Sequence, residues 1–184
     1  SQNATANASV TITGSGGVDN FTGGSSTNDT ISGGAGVDTL TYKGGRDTYT
    51  GGAGKDAFEV GKLQDNVTAD FLTITDFTKG DTLDMDITGL SVDFDDAASG
   101  LGAATTLGAG ATFTELLNEA AKTAGSTSTT DGVTNWFQYS GDTYLVVDAN
   151  SATTFTNSSD LVVKFTGALD FTKATVTSEL LTMV

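Results

Sequence analysis

The sequence predicts a mainly β protein with one short helix. Three observations predict it. The first third repeats a Gly-rich unit of nine residues that ends in a minimal strand. Short alternating apolar runs recur between residues 70 and 90 and again over the last fifty residues. One stretch alone, 112–124, places its apolar residues at helical spacing.

Composition narrows the chemistry. The 184 residues carry 23 acidic against 8 basic side chains, a net charge of −15, and include no His, no Cys and no Pro. That excludes a His-based triad, a thiol nucleophile, a disulfide and the usual N/S zinc site. The acidic balance argues against nucleic acid, whose phosphates need Lys and Arg, and against an anionic membrane surface. Hard cations held by oxygen atoms remain. No run approaches the ~18 apolar residues needed to span a bilayer. The chain opens on Ser1-Gln2-Asn3-Ala4, without an initiator Met or a signal-like segment, and is expected to be a piece of a longer one.

The repeat is marked by Asp19, Asp29, Asp38, Asp47 and Asp56, at steps of ten, nine, nine and nine. Two residues after each Asp stands a large apolar side chain: Phe21, Ile31, Leu40, Tyr49 and Phe58. Two copies match G-G-x-G-x-D-x-U-x in full, Gly33 to Thr41 and Gly51 to Glu59. Gly14 to Thr22 has Ser15 at the second Gly. Gly23 to Ser32 carries one extra residue, and Tyr42 to Thr50 has lost its first two Gly. Gly reaches positive φ and lets carbonyl oxygens crowd together. The x-U-x triplet is a short strand with one side chain inward. A flexible Gly/Ser linker has no reason to keep Asp and an apolar residue in phase over five copies.

This nonapeptide is the Ca²⁺-binding signature of RTX (repeats-in-toxin) proteins, and the sequence resembles that family. The resemblance implies a right-handed parallel β-roll over 14–60, each repeat forming half a turn. Loops of alternate repeats then stack, with Asp19, Asp38 and Asp56 on one edge and Asp29 and Asp47 on the other. Phe21, Leu40 and Phe58 would share one inner column, Ile31 and Tyr49 the facing one. Each Ca²⁺ would sit between two loops of one edge, giving about three ions: Asp19 with Asp38, Asp38 with Asp56, and Asp29 with Asp47. Gly33, Gly36, Gly51 and Gly54 complete the ligand candidates.

Around this core the remaining elements follow in order. Residues 1–13 are expected as a lead-in strand. Phe71 to Phe77 and Thr82 to Ile87 alternate as strands around the turn Thr78-Lys79-Gly80-Asp81. The phrase Ile74-Thr75-Asp76-Phe77…Gly80-Asp81-Thr82-Leu83-Asp84 resembles the segment that follows the repeats in RTX proteins. There it caps the roll, so 61–90 is expected to cap this one and Asp76, Asp81 and Asp84 to add carboxylate ligands. A plain surface hairpin is the alternative. Asp93, Asp95 and Asp96 form an acidic cluster read as a solvated loop. Gly100 to Gly110 is also read as loop.

Phe113, Leu116, Leu117 and Ala120 define the helix face, with Thr112 and Glu115 as a capping box and Gly125 as its end. The helix is expected to dock on a sheet edge, and a polar loop to follow as far as Gly132. Over 133–184, Asn135 to Tyr139 and Thr143 to Asp148 form a hairpin around Ser140-Gly141-Asp142, and Leu161 to Phe165 a further strand. Trp136 is read as core. This segment is similar to the C-terminal part of RTX-type proteases and surface-layer proteins, which carry an uncleaved type I secretion signal.

Stacked Asp residues lie about one strand spacing, ~5 Å, apart. At an effective dielectric near 20 each such pair repels by about 3 kcal/mol, against a domain stability of about 5–15 kcal/mol. The repeats are therefore expected to fold only with a divalent cation, at the ~10⁻⁴–10⁻³ M Ca²⁺ typical of extracellular modules. The resemblance thus implies a non-catalytic, secreted, cell-surface domain of the surface-layer (S-layer) type. It would leave by type I secretion, then fold and self-associate outside the cell on Ca²⁺. An export and folding domain of a secreted metalloprotease or adhesin is the alternative, with any H-E-x-x-H helix lying upstream. A pair of Asp acting as general acid and base is a third reading, and the metal loops already account for the Asp spacing.

Overall fold

The computed structural model describes residues 2–3, 8–61, 71–85, 91–93, 101, 103–122, 131–148, 154–156, 160–177 and 180–184. The chain begins by stepping back and forth between two sheets. One holds β1 (Gln2–Asn3), β3 (Asn20–Thr22), β5 (Thr39–Tyr42), β7 (Ala57–Val60) and β9 (Thr82–Asp84). The other holds β2 (Thr11–Thr13), β4 (Thr30–Gly36), β6 (Thr48–Gly54) and β8 (Leu72–Ile74). Within each set all neighbours are parallel. A parallel stack of this kind needs a crossover between every pair of strands. Here the crossover is the strand of the other sheet.

Register follows the repeat. Phe21, Leu40, Phe58, Leu83 and Leu181 stand side by side in one sheet. Ile12, Ile31, Tyr49, Ile74 and Phe165 do so in the other. Apart from Ile12 these residues are buried in a single core. Each contributes about 1.5–3 kcal/mol on leaving water. The columns expected from the repeat are present, and they run one coil further at each end. Upstream, Val10-Thr11-Ile12 occupies the Asp-x-U positions without its Asp; downstream, Asp81-Thr82-Leu83 restores it.

Within 61–90, the stretch expected to cap the stack, the described residues 71–85 continue both sheets. β8 pairs with β6 on one side and with β13 (Leu161–Phe165) on the other, and β9 lies between β7 and β15 (Leu180–Thr182). They belong to different sheets and so form no hairpin. The alternating run 71–77 gives only the three residues of β8, because Phe77 turns into the core against Phe58, Phe165 and Phe171. The expected lead-in strand is also two separate strands, β1 and β2, in different sheets. Residues 86–87, Asp95 and Asp96 lie outside the described residues; Asp93 ends β10 (Ser91–Asp93).

The C-terminal part adds antiparallel strands. β13 pairs with β12 (Asp142–Asp148), which pairs with β11 (Asp131–Tyr139), and β10 flanks β11 in parallel. β14 (Thr175–Thr177) closes the other sheet beside β15. The β11–β12 turn is Ser140-Gly141, both at positive φ (52° and 89°), as a tight hairpin requires. Six of the seven residues of β12 are buried, because both faces are covered. Leu145 and Val147 face the main core, and Tyr144 and Val146 face α1 (Phe113–Ala120).

α1 carries the expected capping box: Glu115 N–H donates to Thr112 Oγ1 at 3.3 Å and Thr112 N–H to Glu115 at 2.8 Å. Its place differs from expectation. It packs Leu116, Leu117 and Ala120 on the outer sheet face over Phe137, Tyr144, Val146 and Val162, not on an edge. An apolar outer face on β11–β13 leaves no other solution. The expected stop at Gly125 lies outside the described residues. Trp136 is core, its Nε1–H donating to the Leu101 carbonyl at 2.9 Å. Among the described residues, no helix is long and apolar enough to cross a membrane.

Candidate metal-binding edge

Loops joining the two sheets stack along two edges. Loops 14–19, 33–38, 51–56 and 76–81 share the first edge, and loops 23–29 and 42–47 the second. Asp29, Asp38, Asp47, Asp56 and Asp81 are fixed the same way: Oδ1 accepts the backbone N–H of the matching residue one coil earlier, which is an Asp in every case but Val10. On the first edge Asp19 N–H donates to Asp38 at 2.8 Å, Asp38 N–H to Asp56 at 2.9 Å, and Asp56 N–H to Asp81 at 2.9 Å. On the second, Val10 N–H donates to Asp29 at 3.0 Å and Asp29 N–H to Asp47 at 2.8 Å. The coils are thus tied by a ladder of carboxylates. Asp29, Asp38, Asp47, Asp56 and Asp81 are all buried to 1% exposure or less.

The second oxygen, Oδ2, distinguishes one Asp from another. Asp19 receives Ser15 N–H at 2.7 Å and Ser15 Oγ at 3.0 Å, which hold its carboxyl below the usual range. Asp81 receives Thr78 N–H at 2.7 Å and Thr78 Oγ1 at 3.1 Å. Asp38 Oδ2 and Asp56 Oδ2 receive nothing and are buried. Only one other described side-chain atom is in that state, Thr134 Oγ1 on β11. The two bare carboxylate oxygens belong to the two full copies of the nonapeptide. In both, Gly replaces the Ser that serves Asp19.

A buried anionic oxygen without a partner costs several kcal/mol. Burial, with the charges of Asp81, Asp38 and Asp76 added, pushes the Asp56 carboxyl above its ordinary value. Other oxygens face the same places. A methyl at Gly33 would meet Asp38 Oδ2 and, at 2.7 Å, the Gly51 carbonyl oxygen. At Gly51 it would meet Asp56 Oδ2 at 2.5 Å, and at Gly14 both the Gly33 carbonyl and Asp19 Oδ2 at 2.8 Å. At Gly54 it would strike the Gly36 carbonyl. Gly36 itself sits at φ 139°, which favours Gly. Carboxylate and carbonyl oxygens thus approach the same Cβ-free stretches of backbone, and both are oxygen donors of the kind that hard divalent cations take. Among the described residues no three acidic side chains converge by themselves, so carbonyls must complete any such site.

The other candidates divide. Asp76 reaches the first edge, but both its oxygens cap backbone, accepting Gly51 N–H and Gly52 N–H at 2.8 Å each. Asp81 closes the ladder. Asp84 is not brought to the edge: it lies in β9 beside Glu59, in a surface cleft with Thr41 and Lys43. Asp29 Oδ2 is satisfied by Gly24 N–H at 2.7 Å and Thr27 Oγ1 at 3.1 Å. Asp47 Oδ2 lies 3.1 Å from the Tyr49 hydroxyl. Burial, with the Asp29 charge added, pushes the Asp47 carboxyl up to about 7. Sequence reasoning missed Ser15, Thr27, Tyr49 and Thr78 as partners of these carboxyls. Two signals were present: a hydroxyl two to four residues before the Asp, and a single Tyr in the apolar column.

Compared with known proteins, the chain matches no family model and no curated protein sequence.

Proposed function

We propose that this chain is a Ca²⁺-dependent, non-catalytic β-roll domain of the RTX type, from a secreted bacterial surface protein. The observation that carries the reading is the pair of buried, bare oxygens, Asp38 Oδ2 and Asp56 Oδ2, in the two full nonapeptides. A divalent cation supplies the positive charge that such oxygens need. Asp38, with the Gly51 carbonyl beside it, and Asp56 would be its ligands on the first edge. Without a cation the ladder sets like charges in adjacent coils. With one, folding and binding become a single event. Millimolar Ca²⁺ outside the cell would then switch the fold on after type I export, and surface-layer assembly would follow. The absence of His and Cys and the acidic composition support a structural role over a catalytic one.

The test is a Ca²⁺ titration of the chain followed by far-UV circular dichroism and light scattering, with Mg²⁺ as control. A cooperative gain of β signal near ~1 mM Ca²⁺ and none with Mg²⁺ is expected. Growth of large particles in the same titration is expected of a lattice-forming protein. An unchanged spectrum in excess chelator would sink the proposal.

A further inference from the structure

The two edges carry the same Asp ladder, yet they end differently. On the first edge the full nonapeptides leave Asp38 Oδ2 and Asp56 Oδ2 bare. On the second, hydroxyl groups occupy the corresponding place. The Tyr49 ring stands in the inner column between Ile31 and Ile74, and its hydroxyl reaches out to the loop. There it lies 3.1 Å from both Asp47 Oδ2 and the Thr41 carbonyl. Asp29 Oδ2 has Thr27 Oγ1 and Gly24 N–H. A methyl built on Gly23 would meet the Tyr49 hydroxyl, Asp47 Oδ2 at 2.9 Å and Asp29 Oδ2 at 3.4 Å. The hydroxyl therefore fills the space beside Gly23 on which both carboxylates converge. A cation there would have to displace a buried phenol from a well-packed column.

We infer that this chain binds cations on its first edge only, and that Tyr49 and Thr27 lock the second edge with protein hydroxyls in place of a metal. This rests on the cation reading of the first edge given above. The second-edge rungs then need no cation of their own, and Ca²⁺ acts on one side of the stack.

The experiment counts bound Ca²⁺ by native mass spectrometry and isothermal titration, with circular dichroism to confirm folding. It compares the parent chain with Asp38→Asn, Asp56→Asn, Asp29→Asn, Asp47→Asn and Tyr49→Phe. Asn preserves the Oδ1 rung of the ladder, so the Asn variants retain the fold. Asp38→Asn and Asp56→Asn are expected to lose bound ions. Asp29→Asn and Asp47→Asn are expected to keep the parent count, with a Ca²⁺ midpoint within about twofold of the parent. Tyr49→Phe bares Asp47 Oδ2, frees the space beside Gly23, and is expected to bind one ion more. Loss of an ion in Asp29→Asn or Asp47→Asn, with the first-edge variants also losing theirs, overturns the lock alone. So does an unchanged count in Tyr49→Phe. A parent chain that binds no ion and stays folded in chelator overturns the first-edge reading, and the inference falls with it.

Discussion

Replacing Asp56 by Asn should make the chain more stable without Ca²⁺ and less responsive to it. Asp56 lies in the first-edge ladder between Asp38 and Asp81, and all three are nearly excluded from solvent. At one strand spacing, ~5 Å, each neighbour repels Asp56 by about 3 kcal/mol at an effective dielectric near 20. Two neighbours set a ceiling of about 6 kcal/mol, reduced in practice by the backbone N–H groups on each Oδ1. Asn keeps the oxygen that accepts Asp38 N–H and puts a neutral amide where the bare Oδ2 stood. A gain of at least about 2 kcal/mol in chelator is expected, since loss of one unfavourable buried charge is worth that much. In Ca²⁺ that gain is offset. An ion bound at about 10⁻⁴–10⁻³ M and supplied at about 10 mM contributes about 1.4–2.7 kcal/mol, and the variant forfeits it. Far-UV circular dichroism in chelator reads the first, as β signal that the variant gains over the parent, and urea denaturation in Ca²⁺ reads the second. A variant no more folded than the parent in chelator, and destabilised in Ca²⁺, would show that the rung matters only as a hydrogen bond. That result would refute the electrostatic reasoning.

Other expectations follow from single contacts. Gly51→Ala places a methyl 2.5 Å from Asp56 Oδ2 and 3.0 Å from its Cβ and Cγ; a loss of about 1–3 kcal/mol is expected in urea titrations, as for other overpacked sites. The Asp47 carboxyl, raised from 3.8 to about 7, binds a proton more tightly in the folded chain than in the unfolded one. Its stabilising protonation is complete below about pH 4 and is lost as pH rises through about 7, costing up to about 4 kcal/mol. Subtracting the pH–stability curve of Asp47→Asn from that of the parent, both in saturating Ca²⁺, should show that slope; a flat difference between pH 5 and 8 would contradict it. Leu145→Ala in the doubly covered β12 should cost about 2–5 kcal/mol by thermal unfolding, because Leu145 is 1% exposed in the main core. Thr112→Ala removes one half of the capping box on α1, and a loss of about 1 kcal/mol is expected, read by the same scan.

The inner columns were legible because Asp-x-U repeats in phase, and phase alone sets which residues stack. The hairpin of β11 and β12 was legible from its alternation and its Ser-Gly turn. What was not legible came from tertiary partners. The phrase Ile74 to Asp84 suggested a cap by its likeness to the segment after RTX repeats, but not that Leu72–Ile74 and Thr82–Asp84 find the same parallel neighbours as the repeats. The helix face predicted α1, but nothing in it told a sheet face from a sheet edge; the apolar outer residues Tyr144, Val146 and Val162 decided that. In the site, five equivalent Asp were visible in the sequence. Their inequivalence arises in three dimensions, from Ser15 and Thr78 at the ends of one ladder and from Tyr49 and Thr27 in the other.

The layout also makes the molecule mechanically lopsided. Among the described residues, β1 pairs with β3 alone and β2 with β4 alone. Tension applied there meets one coil at a time, so coils peel singly, each surrendering its Asp rung before the next is loaded. At the other end β15 is gripped between β9 and β14 by antiparallel bonds on both sides. Force entering through Val184 is therefore shared across several strands and the main core. An anchored copy pulled from its N-terminal side would lengthen in small, repeated steps, while the block around β11–β13 stays intact.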